Sequence, residues 1–154
     1  MLLKDKVVIV SGIGPGLGIE LALLAAQEGA KLAICARTAS KLDAAERDVA
    51  ALGLGTELLK VPTDIADREQ CRNLVDRTIE RFGRVDVLIN SAYVGGSFEP
   101  IETADLEDWR ATMDINFFGT MKLTQEVTPH MKRHGGGSIV MINTMVTRVP
   151  MPTQ

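Results

Sequence analysis

Val7-Val8-Ile9-Val10-Ser11-Gly12-Ile13-Gly14-Pro15-Gly16-Leu17-Gly18 is an apolar run that breaks into a glycine-rich turn and opens directly onto a helical pattern. Four consecutive aliphatic residues predict a strand buried on both faces. Gly12, Gly16 and Gly18 let the backbone turn sharply and approach a ligand without Cβ obstruction. The following helix offers free N–H groups and a positive dipole end, so strand, turn and helix together predict a backbone cradle for a pyrophosphate. Pro15 stiffens the turn.

The same alternation continues outward from this segment. A helix rich in Leu and Ala is predicted over 16–28, ended by Gly29, and a second strand over 31–36. Ser40-Lys41-Leu42-Asp43 approximates a capping box that opens a helix to about residue 52, with Leu42, Ala45, Val49 and Leu52 on its apolar face. A short strand is predicted over 57–61. Asp67 caps the next helix, whose Cys71, Leu74, Val75, Ile79 and Phe82 repeat at helical spacing until Gly83 stops it. A fourth strand is predicted over 85–90. Residues 105–131 read as a long helix divided near 116–119, and 138–143 as a fifth strand. Pro129 and Gly135 mark that helix as ending.

Strand and helix in alternation predict an α/β fold, a doubly wound parallel sheet of Rossmann-like, three-layer αβα architecture with right-handed crossovers. All of 1–154 reads as one domain, because the Gly-rich stretches at Gly95-Gly96 and Gly135-Gly136-Gly137 are loops inside the pattern. Ligands bind such sheets outside the carboxyl ends of the strands.

A net charge of −3 over 154 residues, with signs interspersed, argues against nucleic acid or an anionic membrane as partner. No apolar stretch approaches the roughly 18 residues of a membrane span, and the first residues carry no signal-peptide pattern, so a cytoplasmic location is expected. Cys35 and Cys71 are expected as buried, reduced thiols. His130 and His134 stand four apart without Cys or carboxylate neighbours, and no metal site is expected. The glycines are not followed by a P-loop lysine, which argues against a nucleoside-triphosphate loop.

The order Ser11-Gly12-x-x-x-Gly16-x-Gly18 resembles the Thr-Gly-x-x-x-Gly-x-Gly fingerprint of the classical short-chain dehydrogenases/reductases, with Ser11 in the Thr place. The likeness extends along the whole chain. It implies a dinucleotide site built from Ser11, Gly12, Ile13, Gly16, Leu17 and Gly18, with Asp64 and Ile65 near the adenine ring. Asn90-Ser91-Ala92-Tyr93 resembles the family's Asn-Asn-Ala-Gly segment beside the cofactor ribose, Tyr93 replacing a Gly. Asn116 matches the family's Asn of the long helix, which orders a water chain in the catalytic tetrad. Strand register puts Thr144 in the place of the catalytic Ser, where its hydroxyl would hold a substrate carbonyl; Ser138 is at the wrong end of the strand.

Cofactor choice is read from Ala36-Arg37-Thr38. Folds that take NAD usually place an acid there, about 20 residues beyond the glycines, whereas Arg accommodates the 2′-phosphate of NADP. Ala36 holds the acidic place, so NADP is the expected cofactor, or NAD, with Arg37 and the hydroxyl of Thr38 or Ser40 contacting the phosphate.

The resemblance implies an NAD(P)-dependent oxidoreductase moving hydride between nicotinamide and a small-molecule carbonyl or alcohol. It also implies a Tyr-x-x-x-Lys pair roughly a dozen residues past the catalytic hydroxyl. The single tyrosine is Tyr93 and no lysine follows Lys132. The C-terminal part of the fold and active site is therefore expected to be missing, by truncation or in a natural short form, and the 154 residues alone to be inactive. A non-catalytic dinucleotide-binding sensor or partner subunit is the alternative. Met145, Val146, Val149 and Met151 form an apolar loop that hints at a hydrophobic substrate, and the residues from about 145 are expected to be poorly supported. A homo-oligomer, dimer or tetramer, is expected, with Phe117, Phe118, Met121 and Val127 contributing apolar surface.

Overall fold

The computed structural model describes residues 1–144. The expectations placed on residues 145–154, an apolar loop and a poorly supported tail, lie outside them. Five strands, β1 (Val7–Ser11), β2 (Lys31–Ala36), β3 (Leu58–Pro62), β4 (Val87–Asn90) and β5 (Ser138–Met141), form one parallel sheet in the order β3-β2-β1-β4-β5. Helices α1 (Leu17–Gln27), α2 (Ala39–Ala51), α3 (Arg68–Phe82), α4 (Leu106–Met113) and α5 (Thr120–Arg133) fill the connections.

Strand alternation explains why both faces are covered. Val8 and Val10 of β1 enter one core layer, with Ala22, Ala25 and Ala26 of α1 and Leu42, Ala45 and Val49 of α2. Ile9, between them, enters the other layer with Cys71, Leu74 and Val75 of α3 and Leu123, Val127 and Met131 of α5. A strand buried on both sides is apolar along its length, which is why Val7–Val10 of β1 read as a run rather than an alternation; its one polar residue, Ser11, stands at the carboxyl end. Each fully buried aliphatic side chain such as Leu74 contributes roughly 2 kcal/mol. From β1 the chain winds outward to β2 and β3, then crosses back to β4 on the other side of β1. The crevice opens where that winding reverses.

Several local expectations are corrected. β4 starts at Val87; Asp86 just before it still joins both neighbouring strands, its Oδ2 accepting the Val7 N–H, its N–H donating to the Val7 carbonyl and its carbonyl accepting the Ser138 N–H, each at 2.9 Å. The Ser40 capping box is not formed. Thr38 is the N-cap of α2 without a side-chain cap bond, and Asp43 instead accepts from Lys60 Nζ at 2.8 Å. Pro129 does not end α5, which runs through it to Arg133. Val127 and Met131 on either side are buried against the sheet, and that packing outweighs the roughly 3 kcal/mol a helix-interior proline costs.

The division of the long helix falls where expected, as a π-helical turn over Asp114–Gly119. Gly119 explains its position: a Cβ there would lie 2.8 Å from Ile65 Cγ1, so only glycine lets α5 rest on the β3–α3 connection. Of the residues expected to offer an oligomer surface, Val127 is 0% exposed and faces the sheet. Phe117 and Phe118 are 48% and 49% exposed, edge to face at 5.2 Å between ring centres. Beyond the described core, β5 pairs with β4 and leaves Ile139, Val140 and Met141 exposed.

Candidate functional site

The β1–α1 turn is folded back under the sheet's carboxyl edge. The Cys35 carbonyl accepts from both Gly12 N–H and Ile13 N–H at 3.0 Å, and the Ser11 carbonyl accepts from Ser91 N–H at 3.0 Å. These bonds pin the turn between β2 and the segment after β4. Gly12 has φ +91°, and a Cβ on it would stand 2.3 Å from Ala92 N. A Cβ on Gly18 would meet the Gly12 carbonyl oxygen at 2.2 Å. Those two glycines are required by the protein's own backbone. Gly16 differs: its φ is +103°, yet open space lies where its Cβ would be. It precedes α1 as an N-cap with no side-chain cap bond. By contrast, Asp67 and Asp105 cap α3 and α4 with their carboxylates. The first turn of α1 therefore offers its N–H groups to whatever anion enters over Gly16.

A cleft of about 1790 Å³ runs along the strand ends and collects nearly every residue singled out in the sequence. Its lining includes Ser11, Gly12, Ile13, Leu17 and Gly18 from the first turn, and Arg37 and Thr38 after β2. Asp64 and Ile65 after β3, and Asn90, Ser91 and Ala92 at the end of β4, line it too. Asn116 and Thr144 share it with them. Gly16 adjoins this lining between Pro15 and Leu17.

Asp64 makes a local turn: its Oδ1 accepts the Ala66 N–H at 3.0 Å while its own N–H donates to Gln70 Oε1 at 2.8 Å. Lys122 of α5 donates to the Ala66 carbonyl at 2.6 Å, so α5 holds the same loop from the other side. Asn90 is buried. Its Nδ2 donates to Thr124 Oγ1 at 3.3 Å and its carbonyl accepts the Ile142 N–H at 3.0 Å, tying β4 to α5 and β5. Thr144 follows β5 at the carboxyl edge, where its N–H donates to Asn143 Oδ1 at 2.8 Å. Ser138 opens β5 at the opposite end.

Asn116 sits in the π-helical turn with both ends of its carboxamide bonded to one residue. Its Oδ1 accepts the Val94 N–H and its Nδ2 donates to the Val94 carbonyl, each at 2.9 Å. This contact makes Asn116 a clamp on the loop after β4, a use that the spacing of the sequence did not reveal. Val94 and Lys41 are cleft residues that sequence reasoning missed. Lys41 was legible only as part of an apparent capping motif. Val94 carries no chemical signal of its own.

Both cysteines are buried and free. Burial pushes the Cys35 thiol up to about 11 against the lowering contacts of Ser11, Gly12 and Thr63. Burial and then the neighbouring Cys35 push the Cys71 thiol up to about 12. Such thiols stay protonated and act as small apolar groups. No helix among the described residues is long and apolar enough to cross a membrane.

Comparison with known proteins agrees with this geometry. The family model described as short chain dehydrogenase matches residues 6–154. The 11-beta-hydroxysteroid dehydrogenase A of Sesamum indicum is 37% identical over 149 residues, 96% of this chain and 42% of that protein. The crystal structure of an NAD+-bound xylitol dehydrogenase matches with a TM-score of 0.94 at 27% identity, covering 99% of this chain and 58% of the other. A metagenomic short-chain oxidoreductase in complex with NADP gives 0.90 at 27% identity, covering 98% and 67%. The chain spans about half the length of the curated relatives it matches.

Proposed function

The chain belongs to the short chain dehydrogenase family, and on that premise we propose that the whole protein is an NAD(P)-dependent oxidoreductase acting on a small-molecule carbonyl/alcohol pair. The observation that carries this reading is the β1–α1 turn. Gly16 keeps a positive φ without any protein atom to avoid, and α1 begins uncapped beside it. A pyrophosphate fits that cradle: its oxygens would accept from the first N–H groups of α1. The fit extends along the cleft, with Asp64 and Ile65 toward the adenine, Ser91 and Ala92 toward the ribose, and Arg37 with Thr38 at the position that reads the 2′-hydroxyl or 2′-phosphate. Ala36 at the acidic place favours NADP over NAD.

Bound there, the dinucleotide supplies or accepts the hydride. The chain's own residues do the positioning. Thr144 would hydrogen-bond the substrate oxygen from the end of β5, and Asn116 would hold the loop beside it through Val94. Its extra methyl stiffens the Thr144 side chain relative to a serine. The proton donor is not Tyr93, because the residue four positions on is Ser97 rather than a lysine. The relatives and solved structures named as dehydrogenases and reductases support turnover over a binding-only subunit. The proposed setting is the cytoplasm and the proposed assembly a homo-oligomer, for which Phe117 and Phe118 are the exposed apolar candidates.

The test is titration of the full-length protein with NADPH and NADH, followed by a screen of ketones, aldehydes and secondary alcohols for cofactor-dependent absorbance change at 340 nm. Binding with turnover supports the enzyme. Binding without turnover on any substrate class favours the sensor, and no binding of either dinucleotide overturns the proposal.

A further inference from the structure

The cleft holds a second unpaired cation opposite the glycine turn. Among the described lining residues Arg37 and Lys41 are the only cations. Neither makes a hydrogen bond or ion pair through its side chain. Lys41 lies in the first turn of α2, and the two acids that follow it most closely, Asp43 and Glu46, are turned to another partner. Asp43 and Glu46 both bind Lys60 Nζ, at 2.8 and 2.6 Å, and no acid stands in that first turn. The ammonium of Lys41 instead reaches across to the β1–α1 turn: a Cβ built on Gly14 would lie 3.9 Å from both its Cδ and its Nζ. A flexible, exposed lysine gains nothing from that position within the protein itself, since Gly14 offers no counter-charge.

We infer that Lys41 is a specificity-determining residue which, with Arg37, grips the 2′-phosphate of NADP from the α2 side of the cleft. The inference rests on the dinucleotide reading above and deepens it. The two residues approach by different routes. Arg37 follows directly on β2, while Lys41 extends from one helical turn later toward the glycine loop. A 2′-phosphate carries close to two negative charges near neutral pH, which one guanidinium leaves incompletely neutralised. A compact ammonium adds a point charge with three donors. NAD brings only ribose hydroxyls to the same place, so Lys41 separates the two cofactors by a charge-assisted contact that exists for one of them. Pyrophosphate contact is the competing use of the same ammonium, and it would not discriminate.

The full-length protein, its Lys41→Ala, Lys41→Glu and Lys41→Arg variants, are titrated calorimetrically with NADPH, NADH and 2′,5′-ADP, with thermal melts to verify folding. Lys41→Ala is expected to weaken NADPH and 2′,5′-ADP about tenfold while NADH changes less than about twofold; Lys41→Glu weakens the first two further, and Lys41→Arg retains most of the affinity. The NADPH affinity of the parent protein should fall more steeply with salt than that of Lys41→Ala. Equal weakening of NADPH and NADH assigns Lys41 to the pyrophosphate and overturns the inference, as does an unchanged NADPH/NADH ratio in a parent that prefers NADPH. A parent that binds NADH more tightly, or neither cofactor, brings down the underlying cofactor reading and this inference with it.

Discussion

The carboxamide of Asn116 and the backbone of Val94 form a closed pair: one N–H···O bond in each direction, both 2.9 Å, across 22 residues of sequence. A side chain that satisfies both backbone groups of a single residue acts as a substitute strand, and here it stitches the π-helical turn to the loop after β4. Asn116→Ala is expected to leave both Val94 groups unsatisfied and to cost about 1–3 kcal/mol in chemical denaturation. Asn116→Asp keeps the acceptor but sets a carboxylate against the Val94 carbonyl, and should cost at least as much at neutral pH. Unchanged unfolding midpoints in both variants would remove the clamp from the account.

Two glycines of the same turn should respond oppositely. Gly12→Ala drives a Cβ to 2.3 Å from Ala92 N at a positive φ, and a stability loss of roughly 3 kcal/mol or more is expected. Gly16→Ala meets open space and carries only the backbone strain of φ +103° with ψ −141°, close to a region almost reserved for glycine, about 1–3 kcal/mol. Its effect belongs to binding: nucleotide affinity should fall about tenfold or more while the fold survives. Melting curves paired with cofactor titrations separate the two outcomes, and a Gly16→Ala variant with undiminished affinity would remove the pyrophosphate from that cradle.

Asp86 gives the fold an acid-sensitive anchor. Burial alone would raise its carboxyl, but the Val7 N–H, then Arg84 and Lys6, hold it below the usual carboxylate range. A depressed native pKa stabilises the fold fully above the unfolded value of about 3.9, and the contribution disappears as pH falls through the native value. At pH 7, Asp86→Asn should therefore be less stable than the parent in urea unfolding, and the gap should shrink steadily below about pH 4. A gap that is constant from pH 7 to 3 would assign its effect to packing instead.

Arg37→Glu should exchange an attraction for a repulsion at the end of β2. NADPH affinity is expected to fall about 10- to 100-fold, with NADH changing only a few-fold. Fluorescence titration of the full-length protein measures both. Tighter binding of NADH by the unmodified protein would reverse the proposed preference.

Local rules carried most of the architecture. Apolar runs between helical repeats marked the strands, so the parallel sheet, its five strands and the turn at Gly12-Gly16-Gly18 were legible, although β4 and β5 are only four residues long and β5 lies exposed. So was the gathering of Asp64, Asn90 and Thr144, because each ends a strand or lies within three residues of a strand's carboxyl end, and parallel strands bring those ends to one edge. The contacts that shape the cleft in detail were not. The Asn116–Val94 clamp, the seat of Gly119 on Ile65 and the reach of Lys41 to Gly14 join residues 22, 54 and 27 positions apart. Periodicity reports which face a side chain takes, not which distant atom it meets there. The same limit explains Pro129 and Val127: their local signals said helix end and free surface, and burial of α5 against the sheet decided otherwise, because packing free energy exceeds what propensity alone can dictate.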